Sequence, residues 1–153
     1  MAILSSPDFQ AALKAHDRLM GLDLGTKTIG LALSDVMRVV ATPFDTIRRT
    51  KFKTDSDTLL GHLDRQGVGG LVLGWPREMS GQEGPRCQSV AAFARNLLAI
   101  RDIPILFWDE RLSTAAVTRT LLEADTSRAK RAEVVDKMAA AYILQGALDS
   151  FGR

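Results

Sequence analysis

The chain has 153 residues, 46% hydrophobic and 25% charged, with 20 Lys and Arg against 18 Asp and Glu for a formal net charge of +2. That size implies one ordinary domain with a true core, too small for the two-lobed plan of many kinases and dehydrogenases, and the composition excludes global disorder. No stretch approaches the ~18 apolar residues needed to cross a bilayer, and MAILSSPDFQ lacks the basic and apolar regions of a signal peptide, so a cytoplasmic protein without a membrane partner is expected. One cysteine, Cys87, cannot close an internal disulfide, and two histidines, His16 and His62, add too little for structural zinc, so any metal is expected on oxygen ligands.

Residues 1–17 carry Ser5, Ser6 and Pro7 and a weak helical pattern near Ala11 to Ala15, which reads as a loosely attached extension before a single domain at 18–153. From Arg18, three apolar stretches broken at Gly25-Thr26 and around Asp35 to Arg38 predict a β-meander. Leu59, Leu60 and Leu63 fall at helical spacing between Thr54 and Gln66, with Thr54 or Asp55 placed to cap the first turn. GGLVLGWP is a short unalternating apolar run, as expected of a strand covered on both faces at the centre of a sheet. Cys87, Val90, Ala91, Phe93, Ala94, Leu97 and Leu98 trace one helical face, and the strand IPILFWD follows, which implies a parallel crossover. A helix from Ser113 to about Glu123, a basic loop and a helix from about Arg131 to Ser150 complete a mixed α/β sheet in one domain.

Acids stand at three places where acids are costly. Asp23 lies in Gly21-Leu22-Asp23-Leu24-Gly25, facing away from Leu22 and Leu24 in an otherwise apolar strand. It reads either as a partner of the Gly25-Thr26 turn or as a metal ligand. Asp109 and Glu110 end a parallel strand, where neighbouring loops form a crevice, although both could simply complement the positive end of the next helix. Asp136 shares a helix face with Ala132, Ala139, Ala140, Ile143 and Ala147, so it is either salt-bridged to a neighbour such as Arg131 or Lys137, or aimed at the sheet by a closely packed helix. Were the three to converge, they would make sense around hard cations, and a pair of Mg²⁺ or Mn²⁺ ions would give phosphodiester hydrolysis. Two acid-free basic runs, TIRRTKFK with Arg48, Arg49, Lys51 and Lys53, and TSRAKR with Arg128, Lys130 and Arg131, are candidate phosphate-backbone contacts, as are Lys27 and Arg111.

GLDLGTKTIGLALSD at 21–35, LVLGWPREMSGQEGPR at 71–86, WDERLSTAAV at 108–117 and VVDKMAAAYILQGALD at 134–149 together resemble the YqgF/RuvX-type family, described as Holliday-junction-resolvase-like and as pre-16S rRNA nucleases. The resemblance implies a ribonuclease-H-like fold, a five-stranded mixed sheet with helices on both faces. It places a catalytic and metal-binding triad on Asp23, Glu110 and Asp136, and implies trimming of the 5′ end of precursor 16S rRNA. Pro76-Arg77-Glu78-Met79-Ser80-Gly81 departs from the family's Pro-Leu-Asn-Met-Asp-Gly loop, which bears on substrate contacts and leaves the triad intact. Alternative readings are a resolvase of branched DNA, needing a symmetric dimer, and a non-catalytic RNA-binding assembly or transcription factor; the oligomeric state, monomer or homodimer, stays open. Asp23-Leu24-Gly25-Thr26-Lys27 also resembles the phosphate loop of actin-like sugar kinases, but those need two such lobes.

Overall fold

The computed structural model describes residues 3–76, 82–110 and 128–151, and in the last of these stretches side chains from residue 136 onward. In chain order these form α1 (Ser6–Ala12), β1 (Arg18–Leu24), β2 (Thr28–Ser34), β3 (Ala41–Arg48), α2 (Phe52–Gln66), β4 (Val68–Trp75), α3 (Pro85–Leu98), β5 (Ile105–Asp109) and α4 (Arg128–Ser150). The helix expected over Ser113 to Glu123 and the altered loop at Arg77 to Gly81 lie outside the described residues. The sheet order is β3-β2-β1-β4-β5, antiparallel from β3 to β1 and parallel from β1 to β5. Meander and crossover are therefore both present, and β4 is an interior strand beside the central β1.

Strand alternation divides the core into two layers. On one face Met20, Leu22, Leu24, Leu71 and Leu73 pack against Leu59 and Leu63 of α2 and Val90, Phe93 and Leu97 of α3. On the other, Leu19, Ala32, Val72 and Leu106 meet Ala139, Ala140, Ile143, Leu144 and Ala147 of α4. Asp23 belongs by alternation to this second face, on the side opposite Leu22 and Leu24, as its sequence position implies.

α4 lies unusually close to the strands because glycines leave room for it. A Cβ on Gly21 would stand 2.8 Å from the Ala140 carbonyl oxygen and 2.8 Å from Leu144 Cβ, and one on Gly30 would overlap the Asp136 carbonyl. At the far end of α4, Gln145 accepts from the Ala41 N–H at 2.9 Å and donates to the Val39 carbonyl at 2.9 Å, so the same helix also clamps the β2–β3 connection.

Three local details differ from the sequence expectation. α2 begins at Phe52 with Lys51 as its N-cap and no side-chain cap bond, so neither Thr54 nor Asp55 caps it. Asp55 instead reaches back to the N–H and hydroxyl of Thr50 at 3.1 Å each, tying down the approach to the helix from inside its first turns. α4 is described from Arg128 onward, so Arg128, Lys130 and Arg131 are helical and not in a loop. The segment expected to hang loosely before β1 carries fully buried Phe9 in the α4 layer. Ile3 also forms a parallel bridge to Ile105 on β5, the Leu4 N–H meeting the Ile105 carbonyl at 2.8 Å. At the opposite border, β3 carries Pro43, and its register against β2 shifts between Leu31 and Ala32.

The β2–β3 turn is held by Asp35, whose carboxylate accepts the N–H groups of Val39 at 2.8 Å and Val40 at 3.0 Å. Those backbone donors, Val40 foremost, hold the Asp35 carboxyl below its ordinary value. A depressed folded pKa contributes stability that is present above the unfolded value near ~3.9 and lost as pH falls through the folded one. Asp35→Asn is therefore expected to lower stability at neutral pH, with the gap to wild type closing in urea melts taken below pH ~4. Gly30→Ala, which drives a methyl into the backbone of α4, should cost about 1–3 kcal/mol or more by the same assay.

Candidate active site

The acids nominated by the sequence lie at the end of the sheet where the parallel strands β1, β4 and β5 terminate. Asp23 is 1% exposed and is paired in register with Gly30 of β2. The β1–β4 register runs to Leu22 and Leu73, and continuing it by one residue aligns Asp23 with Gly74. Both glycines lie beneath another acid's territory. The backbone of Asp136 sits over Gly30, and a Cβ on Gly74 would stand 2.7 Å from Glu110 Oε1 and 2.7 Å from Ile143 Cδ1. A Cβ on Gly25, two residues past Asp23, would be 3.6 Å from Asp136 Oδ2. The structure thus brings Asp23, Glu110 and Asp136 to one corner, with glycines on both sides of Asp23 making the space.

Asp109 and Glu110 part company by alternation along β5. Asp109 is the partner of Trp75 on the face where Trp75 stacks on Phe107 with ring centroids 4.5 Å apart. Glu110, 7% exposed, turns to the face of Asp23 and α4. Thr28 was not singled out from the sequence, yet its hydroxyl donates to Asp136 Oδ2. It is a buried polar residue opening β2 directly after the glycine turn, and only the fold reveals that α4 passes above it.

The basic candidates split into those described and those not. Lys27, Arg48 and Lys51 are exposed and reach the same end of the sheet, because Thr28 pairs with Arg48 and the Arg49 N–H donates to the Lys27 carbonyl at 2.8 Å. Arg49 Nη1 donates to the Gly25 carbonyl at 2.6 Å and its guanidinium lies 6.0 Å from the Phe93 ring centre, so this cation also braces the turn after Asp23. Arg111 lies outside the described residues, and of Arg128, Lys130 and Arg131 only the helical backbone is described.

Residues 17–150 match a family described as "RuvX: Holliday junction resolvase". The chain belongs to the RuvX family. It is 70% identical over 150 residues to a Paramagnetospirillum magneticum protein named "Putative pre-16S rRNA nuclease", covering 98% of this chain and 97% of that one. A Rhodospirillum rubrum protein of the same name is 60% identical over 154 residues, 100% of this chain and 96% of its own. The fold is shared with Thermus thermophilus RuvC, solved with a Holliday junction substrate, at a TM-score of 0.52 and 13% identity over 87% of this chain and 94% of that one. The ribonuclease-H-like architecture implied by the sequence motifs is thus observed in this RuvX chain.

An all-oxygen set of Asp and Glu suits a hard divalent ion, and carboxylates this buried are stable only beside cations or hydrogen-bond donors. Among the described residues, no three His, Cys, Asp or Glu side chains stand close enough to enclose an ion as placed. What fits is the chemistry of the donors and their arrival at one corner. Thr28 fixes one oxygen of Asp136, so Thr28→Val should cost about 1 kcal/mol in urea denaturation while Thr28→Ser, which keeps the donor, costs less.

Proposed function

We propose that this RuvX chain is a metal-dependent endonuclease that hydrolyses phosphodiesters in structured RNA and trims the 5′ end of precursor 16S rRNA. The observation that carries the reading is Asp23, buried and paired with Gly30, with the Asp136 backbone lying over Gly30 and the Glu110 carboxylate over Gly74 of the neighbouring strand β4. These three acids are the catalytic set, and they would hold Mg²⁺ or Mn²⁺, two ions in the fullest arrangement. When bound, the ions supply an activated water and neutralise charge on the leaving oxygen.

The chain's own residues supply placement and attraction. Thr28 orients Asp136, and the glycines keep the strands low enough for a ribose-phosphate chain to approach the acids. Lys27, Arg48 and Lys51 stand at this end of the sheet, with Arg49 behind the Gly25 turn, and would draw in phosphate through counterion release without reading bases. Arg111 follows Glu110 directly in sequence. Arg128, Lys130 and Arg131 open α4, whose first turn has no acid.

RNA is preferred because the relatives at 60–70% identity carry the pre-16S rRNA nuclease name. The family description favours a second reading, cleavage of a Holliday junction, which requires two copies acting on two strands. A cytoplasmic site of action follows from either substrate, and no helix among the described residues is long and apolar enough to cross a membrane. Wild type and Asp23→Asn should be compared on a precursor 16S rRNA fragment and a four-way DNA junction with Mg²⁺, Mn²⁺ or EDTA. The expected outcome is metal-dependent RNA cutting that falls at least ~100-fold in the variant with RNA binding retained. Junction cutting alone would move the function to recombination, and equal RNA binding with no cutting of either would leave a binding factor.

A further inference from the structure

Opposite the acidic corner, across the same glycine turn, lies a small cavity of about 70 Å³. Leu24 and Phe93 supply its apolar lining, and Thr26, Ser89, Arg49 and Arg86 its polar lining. Gly25 is the shared wall: its Cα side faces Asp136 Oδ2, and its carbonyl is held by Arg49 at 2.6 Å. Arg86 stands in the first turn of α3, directly after the N1 proline.

Two features make this cavity electropositive. Among the described residues, neither Arg49 nor Arg86 has a carboxylate within ion-pair distance. Arg49 is fixed by the Gly25 carbonyl and the Phe93 ring, yet a guanidinium carries five N–H donors and one bond leaves most of them available. The Ser89 hydroxyl donates to the Pro85 carbonyl at 3.3 Å, so it shapes the cavity without serving as a donor there. The donors offered to a ligand are the two guanidinium forks and the exposed Thr26 hydroxyl. That set, in a space this small, matches a tetrahedral oxyanion.

We propose that Arg49, Arg86 and Thr26 form a phosphate subsite that grips a non-scissile phosphate of the substrate strand, across the Gly25 turn from the carboxylates. The inference rests on the nuclease reading for the identity of the strand and goes beyond it by assigning Arg86 and Thr26. A backbone running over this end of the sheet would present one phosphate to the acids and a neighbouring one to the arginines. The subsite would set the register of the cut without reading sequence.

The test uses a precursor 16S rRNA leader fragment and a series of the same RNA with one neutral methylphosphonate at successive positions around the cut. Arg86→Gln should weaken binding about tenfold. It should also reduce the slope of log K against log salt by about 0.7, with Arg86→Lys recovering part of both. One methylphosphonate position should weaken binding by wild type and have no further effect on Arg86→Gln, while the other positions affect both proteins equally. Equal losses at every position, or an unchanged salt slope in a variant with wild-type melting behaviour, would overturn the subsite. RNA cutting by wild type with no such coupling defeats the subsite alone. Coupling without any cutting defeats the nuclease reading alone, and absence of RNA binding by wild type defeats both.

Discussion

Everything in this molecule depends on how closely α4 can lie on the sheet. At Gly21 and Gly30 the helix comes directly against the strand backbone, while Leu19, Ala32, Val72 and Leu106 fill the rest of the same layer. Close packing of this kind makes the interior intolerant of added atoms, so small residues at those positions are a steric requirement. The alanines of α4, Ala139, Ala140 and Ala147, are the other half of the same contact. Without it, Asp136 would ride above the sheet on a thicker layer and could not share a corner with Asp23 and Glu110.

The glycine turn after Asp23 is the second organising element. Gly25 closes a tight connection by donating its N–H to the Thr28 carbonyl at 2.9 Å. Its carbonyl anchors Arg49, its Cα approaches Asp136, and the residue that ends the turn, Thr28, bonds Asp136 directly. A single short loop therefore couples an acidic corner on one face to a basic cavity on the other. Opposite charges are kept near each other without neutralising each other, because the backbone of the turn stands between them. A polyanion is the kind of partner for which that separation is useful, because the cations can attract the chain from one side of the turn while the carboxylates stand on the other.

Much of this was legible in the sequence because it follows from periodicity. Alternation put Asp23 opposite Leu22 and Leu24, and helical spacing put Asp136 among alanines; both are local rules that the fold obeys. Glu110 over Asp109 was not decidable from the strand itself and came from the family motif; the structure separates them by the face each takes. What was not legible depends on which distant segments meet. Thr28 looked like an ordinary strand residue until α4 crossed above it, 108 positions later in the chain. Phe9 gave no signal of burial, since its neighbours are polar and its partners belong to the far end of α4. The start of α2 was misplaced because a lysine stands at the cap and Asp55 serves the preceding residue instead.

The two borders of the sheet are closed in different ways. At β3, Pro43 removes one backbone donor and the register shift interrupts the ladder; at β5, Ile3 bridges Ile105 and the Leu4 N–H takes up the Ile105 carbonyl. Open edges of this kind recruit strands from other copies and lead to aggregation. The leading residues therefore shield the Ile105 end of this rim, and a chain shortened to begin at β1 would uncover that backbone carbonyl to strands from other copies.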